Sequence, residues 1–275
     1  MKAVMQFRPS PGFKSALLSK APEWLSISII DETDKAAFAE ASRDMDVLLH
    51  VLEPVTRDVL LNAPKLKFIQ KIGVGVNTID LTTAKERGIQ VANMPGTNTQ
   101  AVAEWVILSI LNALRKPFFL HQETAKGNGW EIDSRVYDEV NELAGKTVGL
   151  IGYGAVAQRV APILRALGAK LLYTSRSIKA DALGEYTDLE TLMKRADIIS
   201  LHATYNESTH HLVNAQNLRL TKPGVIVVNT ARGGLLDTNA LLKGLNNGHV
   251  RAAVLDVFEQ EPVPIDHPIL KHPNV

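Results

Sequence analysis

Short apolar runs rich in β-branched residues alternate with segments of helical spacing along the whole chain. Before residue 100, Lys2–Phe7, Ser26–Ile30, Val47–Leu52, Phe68–Ile72 and Ile89–Ala92 read as strands. Between them, "DKAAFAEASRD" and "TRDVLLNAP" have helical spacing. Beyond residue 140, Thr147–Ile151, Lys170–Tyr173, Ile198–His202, Val225–Asn229 and Ala252–Val257 read as strands. Strands that alternate with helices argue for βαβ units and parallel sheets.

The division falls near "NMPGTNTQAVAEWVILSILNALRKP". "MPGTNT" is turn-rich, and a long apolar helix follows from about Gln100 to Leu114, ended by Lys116-Pro117. This predicts a first domain over residues 1–97 and a second over 98–275, with the helix as the joining element. A looser segment, "TAKGNGWEIDSRVYDEVNELAG", leads into the second sheet.

Composition narrows the classes. Apolar residues make up 45% and charged residues 21%, the balance of an ordinary globular protein. The net charge of +1 offers no basic field for nucleic acid or an acidic membrane. With no cysteine there are no disulfides, thiolate metal sites or cysteine nucleophiles, which fits a reducing cytoplasm. "MKAVMQFRPSPG" has too short an apolar run for a signal peptide, and no stretch approaches the ~18 apolar residues of a membrane span. The chain is expected to be cytoplasmic, with no metal, nucleic-acid or membrane partner.

"KTVGLIGYGAVAQRVAPILRALGAKLLY" carries the strongest chemistry. Strand Thr147–Ile151 runs into Gly152-Tyr153-Gly154-Ala155-Val156-Ala157 and then a helix. This is G-x-G-x-x-A, a small-residue form of the dinucleotide fingerprint. Gly152 allows the tight turn, Gly154 admits a pyrophosphate to the backbone, and Ala157 lets helix and strand pack closely. The helix start at Ala155 and Val156 offers N–H groups and a positive dipole to the phosphates. Gly168 marks the helix end, and Pro162 inside the helix should remove one backbone bond and bend it there.

About twenty residues on, a carboxylate would accept hydrogen bonds from the 2′-hydroxyl of NAD. "AKLLYTSRS" has none. Ser175 can donate to a 2′-phosphate and Arg176 can pair with it, with Ser177 and Lys179 nearby. The reading is NADP(H), with NAD(H) as the weaker alternative. The competing interpretation is a solvated loop that reads the ribose loosely.

Four further stretches are "IGVGVNTIDLTTAKERGIQVANMPGTNTQAVAEW", "ADIISLHATYNESTHHLVN", "LTKPGVIVVNTARGGLLDTNAL" and "AAVLDVFEQEPVPIDHPILKHPNV". In this order and spacing the chain resembles the D-isomer-specific 2-hydroxyacid dehydrogenases, closest to the NADPH-type glyoxylate/hydroxypyruvate reductases. The resemblance implies an α/β fold of two doubly wound parallel-sheet domains: a flavodoxin-like substrate domain and a Rossmann dinucleotide-binding domain, with the active site in the cleft between them. It implies hydride transfer between NADP(H) and a small 2-keto or 2-hydroxy acid, in a homodimer.

The resemblance assigns roles to residues. In "NTARG", Arg232 is the catalytic arginine that holds the substrate carboxylate and polarises the ketone, with Thr230 and Ala231 beside the cofactor. In "DVFEQEP", Glu261 orients a histidine and raises its pKa, with Glu259 as the nearby alternative, and Asp256 contacts the nicotinamide carboxamide. The "GVGV" turn, Gly73 to Val76, presents N–H groups to the substrate carboxylate, chiefly at Val74 and Gly75; a simple chain reversal is the other interpretation. Thr204, also on the cofactor side, stands where the family usually has proline.

Other residues read as ordinary. His210-His211 reads as a solvated pair, His202 as a hydrogen-bonded structural histidine, and Trp105 as core or dimer contact. In the family, "HPNV" leads into a T-P-H segment carrying the general-acid histidine, then a closing helix. The sequence ends at Val275, and none of its eight histidines holds that position; His267 belongs to the preceding "HP". The expectation is a chain that binds cofactor but turns over poorly. The alternative is a non-catalytic or weakly active NADP(H)-binding regulatory protein of corepressor type.

Overall fold

A computed structural model describes all residues, 1–275, and the chain divides into two compact units, Met1–Asn98 and Thr99–Val275. In the first, strands β1 (Lys2–Gln6), β2 (Ser26–Ile30), β3 (Val47–His50), β4 (Phe68–Lys71) and β5 (Gln90–Ala92) alternate with helices α1 (Pro11–Ser19), α2 (Lys35–Ser42), α3 (Arg57–Leu61) and α4 (Leu81–Glu86). Each helix starts where a polar side chain meets its free N–H groups: Ser10, Asp34, Thr56 and Asp80 accept from Phe13, Ala37, Val59 and Thr83. The sheet order is β2-β1-β3-β4-β5, and every pairing is parallel. This is the flavodoxin-like order.

The strands read as unbroken apolar runs because both faces are covered. On β1, Val4 joins one buried cluster with Leu48 and Ile69, while Ala3 and Met5 join another with Val47 and Leu49. Several strands are shorter than their apolar runs. β3 stops at His50 rather than Leu52, and β4 at Lys71 rather than Ile72.

The second unit opens with α5 (Thr99–Arg115), α6 (Pro117–Ala125) and α7 (Arg135–Glu139). It continues with β6 (Thr147–Ile151), α8 (Ala155–Ala166), β7 (Lys170–Thr174), β8 (Glu185–Tyr186), α9 (Leu189–Arg195), β9 (Ile198–Leu201), α10 (Ala215–Leu218), β10 (Val225–Asn229), α11 (Thr238–Asn246) and β11 (Val250–Leu255). The order β11-β10-β9-β6-β7-β8 is parallel throughout and is the doubly wound dinucleotide-binding order. Connections reverse direction at β6, which lies between β7 and β9, and ligands bind at that point in such sheets.

The long helix α5 is not a free connector. Ala103, Val106 and Ile110 are fully buried against Val148, Leu150 and the α8 residues Ala157, Val160, Ala161 and Leu164. Each fully buried Val, Leu or Ile contributes about 1.5–3 kcal/mol, so α5 is fastened to the second unit. Trp105 is 46% exposed, which removes the core reading for it. Pro162 sits within an unbroken α8. The last strand begins at Val250, two residues before its apolar run suggests, because Arg251 continues the extended backbone.

Candidate active site

The glycine turn stands at the switch point. Gly152 follows β6 with φ of +98°, a left-handed conformation open to glycine. A Cβ there would lie 2.6 Å from both Ala203 N and the His202 carbonyl carbon, so the backbone after β9 also forbids a side chain. Gly154 differs: nothing lies within 4 Å of where its Cβ would be. It precedes α8, whose N-terminus has no side-chain cap, whereas α9, α10 and α11 are capped by Asp188, Asn214 and Asp237. Ala155 is exposed, Val156 half-buried and Ala157 buried against the core. Uncapped N–H groups behind an open cradle suit a pyrophosphate. The fit to a dinucleotide holds on this chain's own geometry.

The loop after β7 is braced by tyrosines. The Tyr153 hydroxyl accepts from the Leu183 N–H at 3.0 Å, and the Tyr173 hydroxyl accepts from the Lys179 N–H at 2.9 Å. Arg176 is exposed and makes no hydrogen bond or ion pair within the chain. Ser175 departs from expectation: its hydroxyl donates to the Ser177 carbonyl at 2.6 Å, so the turn itself uses the proton offered to a phosphate. Lys179 Nζ donates to the Ser177 hydroxyl at 3.0 Å.

The loops after β9, β10 and β11 stand side by side at the carboxyl-terminal edge of the second sheet. After β10, the buried Asn229 accepts from the Ala231 N–H at 3.1 Å and donates to the Arg232 carbonyl at 2.9 Å. It holds the turn that contains buried Thr230 and half-buried Arg232, whose Nη1 donates to the Ala231 carbonyl at 2.6 Å. After β11, the Asp256 N–H donates to the Asn229 carbonyl at 3.0 Å. Burial, then the charge of Glu261, raises the Asp256 pKa above the usual carboxylate range. Glu261 Oε1 accepts from the Phe258 N–H at 2.9 Å, and Glu261 hydrogen-bonds to no histidine.

Glu259 is the carboxylate with a histidine partner. Its Oε1 lies 2.5 Å from His211 Nε2, and its Oε2 accepts from the Thr238 N–H at 2.9 Å. Burial raises its pKa, but the hydrogen bonds from Thr238 and His211 outweigh this and hold it below the ordinary value. The solvated reading stands for the exposed His210 and is corrected for His211. The two rings stack at 3.9 Å, His211 is paired, and His210 Nδ1 lies 3.2 Å from the Tyr205 hydroxyl. The partners are 48 residues apart, so no local spacing announces them.

After β9, His202 Nε2 lies 2.9 Å from the Ser200 hydroxyl, and burial lowers the His202 pKa to about 4. Thr204 is exposed, and its carbonyl accepts from the Thr209 hydroxyl at 2.8 Å.

In the first unit, the turn after β4 is tied by Met94 N–H to the Gly73 carbonyl and by Asn93 Nδ2 to the Val74 carbonyl, at 2.9 and 2.7 Å. The N–H groups of Val74 and Gly75 donate to nothing within the chain. They therefore remain available to a ligand oxygen. No cluster of three or more His, Asp or Glu side chains could hold a metal.

A family profile described as D-isomer specific 2-hydroxyacid dehydrogenase, NAD binding domain, matches residues 107–275. A glyoxylate reductase of Aeropyrum pernix is 38% identical over 85% of this chain and 72% of its own length. A hydroxypyruvate reductase of Thermotoga maritima is 40% identical over 80% of this chain and 71% of its own. Among solved structures, the NAD-dependent formate dehydrogenase of Staphylococcus aureus in complex with NAD superposes with a TM-score of 0.90 at 28% identity. It covers all of this chain and 86% of that one. Sheet order, glycine turn and these matches agree: the chain belongs to the D-isomer specific 2-hydroxyacid dehydrogenase family, whose members are NAD(P)-dependent oxidoreductases.

Proposed function

We propose that this protein is an NADP(H)-preferring reductase of a small 2-keto acid, glyoxylate or hydroxypyruvate, with NAD(H) as the weaker cofactor. The observation that carries the cofactor preference is the end of β7. Arg176 is exposed and unpaired there, Lys179 is close by, and no carboxylate occupies Ala169–Ser177. A guanidinium in that position attracts a 2′-phosphate, and the absence of a carboxylate removes the group that would repel it.

The cofactor, when bound, supplies the hydride; the keto acid gains that hydride on carbon and a proton on oxygen to become a 2-hydroxy acid. Gly152, Gly154, Ala155 and Val156 receive the pyrophosphate. Arg176 and the Ser177 hydroxyl would meet the ribose phosphate, while Ser175 shapes the turn through its bond to the Ser177 carbonyl, and Thr204, Thr230, Ala231 and Asp256 would contact the remainder. Arg232 holds the substrate carboxylate in a bidentate pair and stabilises charge that develops on the carbonyl oxygen. Within the first unit, the unused N–H groups of Val74 and Gly75 are donors suited to a carboxylate. Glu261, whose Oε1 accepts from the Phe258 N–H, has no imidazole partner among this chain's eight histidines, so in this chain the proton on oxygen comes from solvent water.

The partner we propose is a second copy of the chain. The second unit leaves Trp105 46%, Phe118 64%, Trp130 99% and Tyr137 66% exposed, a load of aromatic surface that suits a protein interface. A reducing cytoplasm suits a chain without cysteine.

Fluorescence titration tests the preference. NADPH is expected to bind at least about tenfold tighter than NADH, roughly 1.4 kcal/mol, which one charge-assisted contact supplies. Arg176→Ala should erase the difference while NADH binding stays nearly unchanged. Equal affinities for the two cofactors in the unmutated chain would refute the assignment.

A further inference from the structure

The loop that presents Arg232 has no side chains of its own on its far side, because Gly233 and Gly234 follow directly. Its walls come from the neighbouring loops. A Cβ on Gly233 would lie 1.9 Å from the Phe258 carbonyl, and one on Gly234 would lie 2.6 Å from the Tyr205 ring. The glycines are thus pressed between the loop after β9 and the loop after β11. How accurately Arg232 is aimed depends on how firmly those two walls are held apart and together.

One side-chain pair joins them. Glu259, beside Phe258, takes His211 from the first wall on one oxygen and the Thr238 N–H at the start of α11 on the other. His211 also donates its backbone N–H to the Gly234 carbonyl at 2.8 Å, and its carbonyl accepts from Asn214 Nδ2 at 3.1 Å. Its φ is +48°, a left-handed conformation that is strained for a residue with a side chain and persists where its surroundings impose it. Stacking of His210 on His211 covers the pair from the other side. The loops after β9, β10 and β11 therefore meet at one carboxylate.

We propose that His211 and Glu259 are positioning residues that clamp the three loops and fix the aim of Arg232 at the substrate carboxylate. The proposal rests on the reading of Arg232 given above. Neither residue touches substrate. Bidentate recognition requires a guanidinium held within ~0.5 Å of its productive place, which packed and hydrogen-bonded supports supply. Loosening the clamp should therefore weaken capture of a carboxylate while the glycine turn and the Arg176 loop, built on other elements, keep their cofactor.

The test uses the NADPH-loaded chain and oxalate, a non-reducible carboxylate probe, so that no turnover is needed. Glu259→Ala is expected to weaken oxalate binding about tenfold or more, with NADPH affinity changed less than twofold. Glu259→Gln should restore most of it, because the amide oxygen can still accept from Thr238 and its N–H₂ can meet the neutral ring. His211→Asn tolerates left-handed backbone but does not reach the carboxylate, and should repeat the loss. In an Arg232→Lys background, Glu259→Ala should add nothing further, the signature of a shared pathway.

Unchanged oxalate binding in both Glu259→Ala and His211→Asn overturns the clamp. So does an equal loss of NADPH affinity, which would mark a general structural role. If Arg232→Lys alone binds oxalate like the unmutated chain, the reading of Arg232 fails and the clamp fails with it. If Arg232→Lys weakens oxalate while the clamp variants do not, only the clamp is overturned.

Discussion

Gly152 and Gly154 are two residues apart and should fail in opposite ways when replaced by alanine. At Gly152 an alanine must adopt φ near +98° and press its Cβ to 2.6 Å from the backbone of His202 and Ala203. Backbone cannot move aside like the end of a long side chain. Left-handed strain of roughly 1–2 kcal/mol and overpacking of about 1–3 kcal/mol together predict a loss of about 2–5 kcal/mol. For a unit of this size that corresponds to a fall in Tm of about 4–20 °C. At Gly154 the backbone, φ −89° and ψ −165°, is open to alanine, and the added methyl group meets nothing within 4 Å. Stability should hold, or rise by up to ~1 kcal/mol as the unfolded chain loses freedom.

Cofactor binding separates the two further. If Gly154 is the point where a pyrophosphate meets the backbone, the methyl group occupies phosphate space. One lost charge-assisted hydrogen bond costs about 1.5–3 kcal/mol. That predicts an NADPH dissociation constant roughly 10- to 150-fold higher for Gly154→Ala at unchanged Tm. Thermal unfolding without cofactor and NADPH fluorescence titration read the two effects independently. A Gly154→Ala variant that binds NADPH like the unmutated chain would place the phosphates elsewhere and refute the argument.

Two further outcomes follow from the same structure. His50, buried beside Lys71, and His202 are both depressed to about 4, chiefly by burial; a histidine whose folded pKa lies below its unfolded ~6.5 takes up protons more readily when unfolded, so stability is full above about pH 6.5 and falls toward pH 4. At pH 4.5 each should cost about 2–3 kcal/mol, and urea unfolding of His202→Asn should show a flatter pH dependence; an unchanged slope would show that His202 ionises normally in the fold. For the proposed second copy, Trp105→Glu should shift the mass in sedimentation equilibrium from dimer toward monomer, and a monomeric unmutated chain would refute that interface.

The fold was legible because its strands are buried on both faces. Val225–Asn229 reads as one apolar run since Ile226 and Val228 enter one core while Val225 and Val227 enter the other. Pattern fails where an element is too short or too exposed to need burial. β8 is two exposed residues paired to β7, and α7 has only Val136 buried. It also fails at β11, where Arg251 extends the strand that the apolar run opens only at Ala252.

At the candidate site, residues tied to a backbone conformation were readable and residues tied to each other were not. Gly152 must turn within one residue of a strand end, and that demand writes itself into adjacent positions. Asn229 answers a local demand too, its side chain satisfying Ala231 and Arg232 within three residues, although in the sequence it reads only as the end of a strand. Ser175 shows the limit of such local reading. Its hydroxyl was a plausible phosphate donor by residue type, yet the turn brings the Ser177 carbonyl within 2.6 Å and uses it. The pairing of His211 with Glu259 lies further beyond it: Glu259 reads only as the alternative to Glu261, His211 as solvated, and only the parallel order of β9, β10 and β11 brings their loops to one edge. Neither residue has a neighbour in sequence that requires it. The physical demand arises from Gly233 and Gly234, which remove side chains from the Arg232 loop and leave its walls to be supplied from outside. A glycine pair beside a catalytic-type arginine is thus a sequence signal for a missing support. It specifies that a support is needed without naming the residues that provide it.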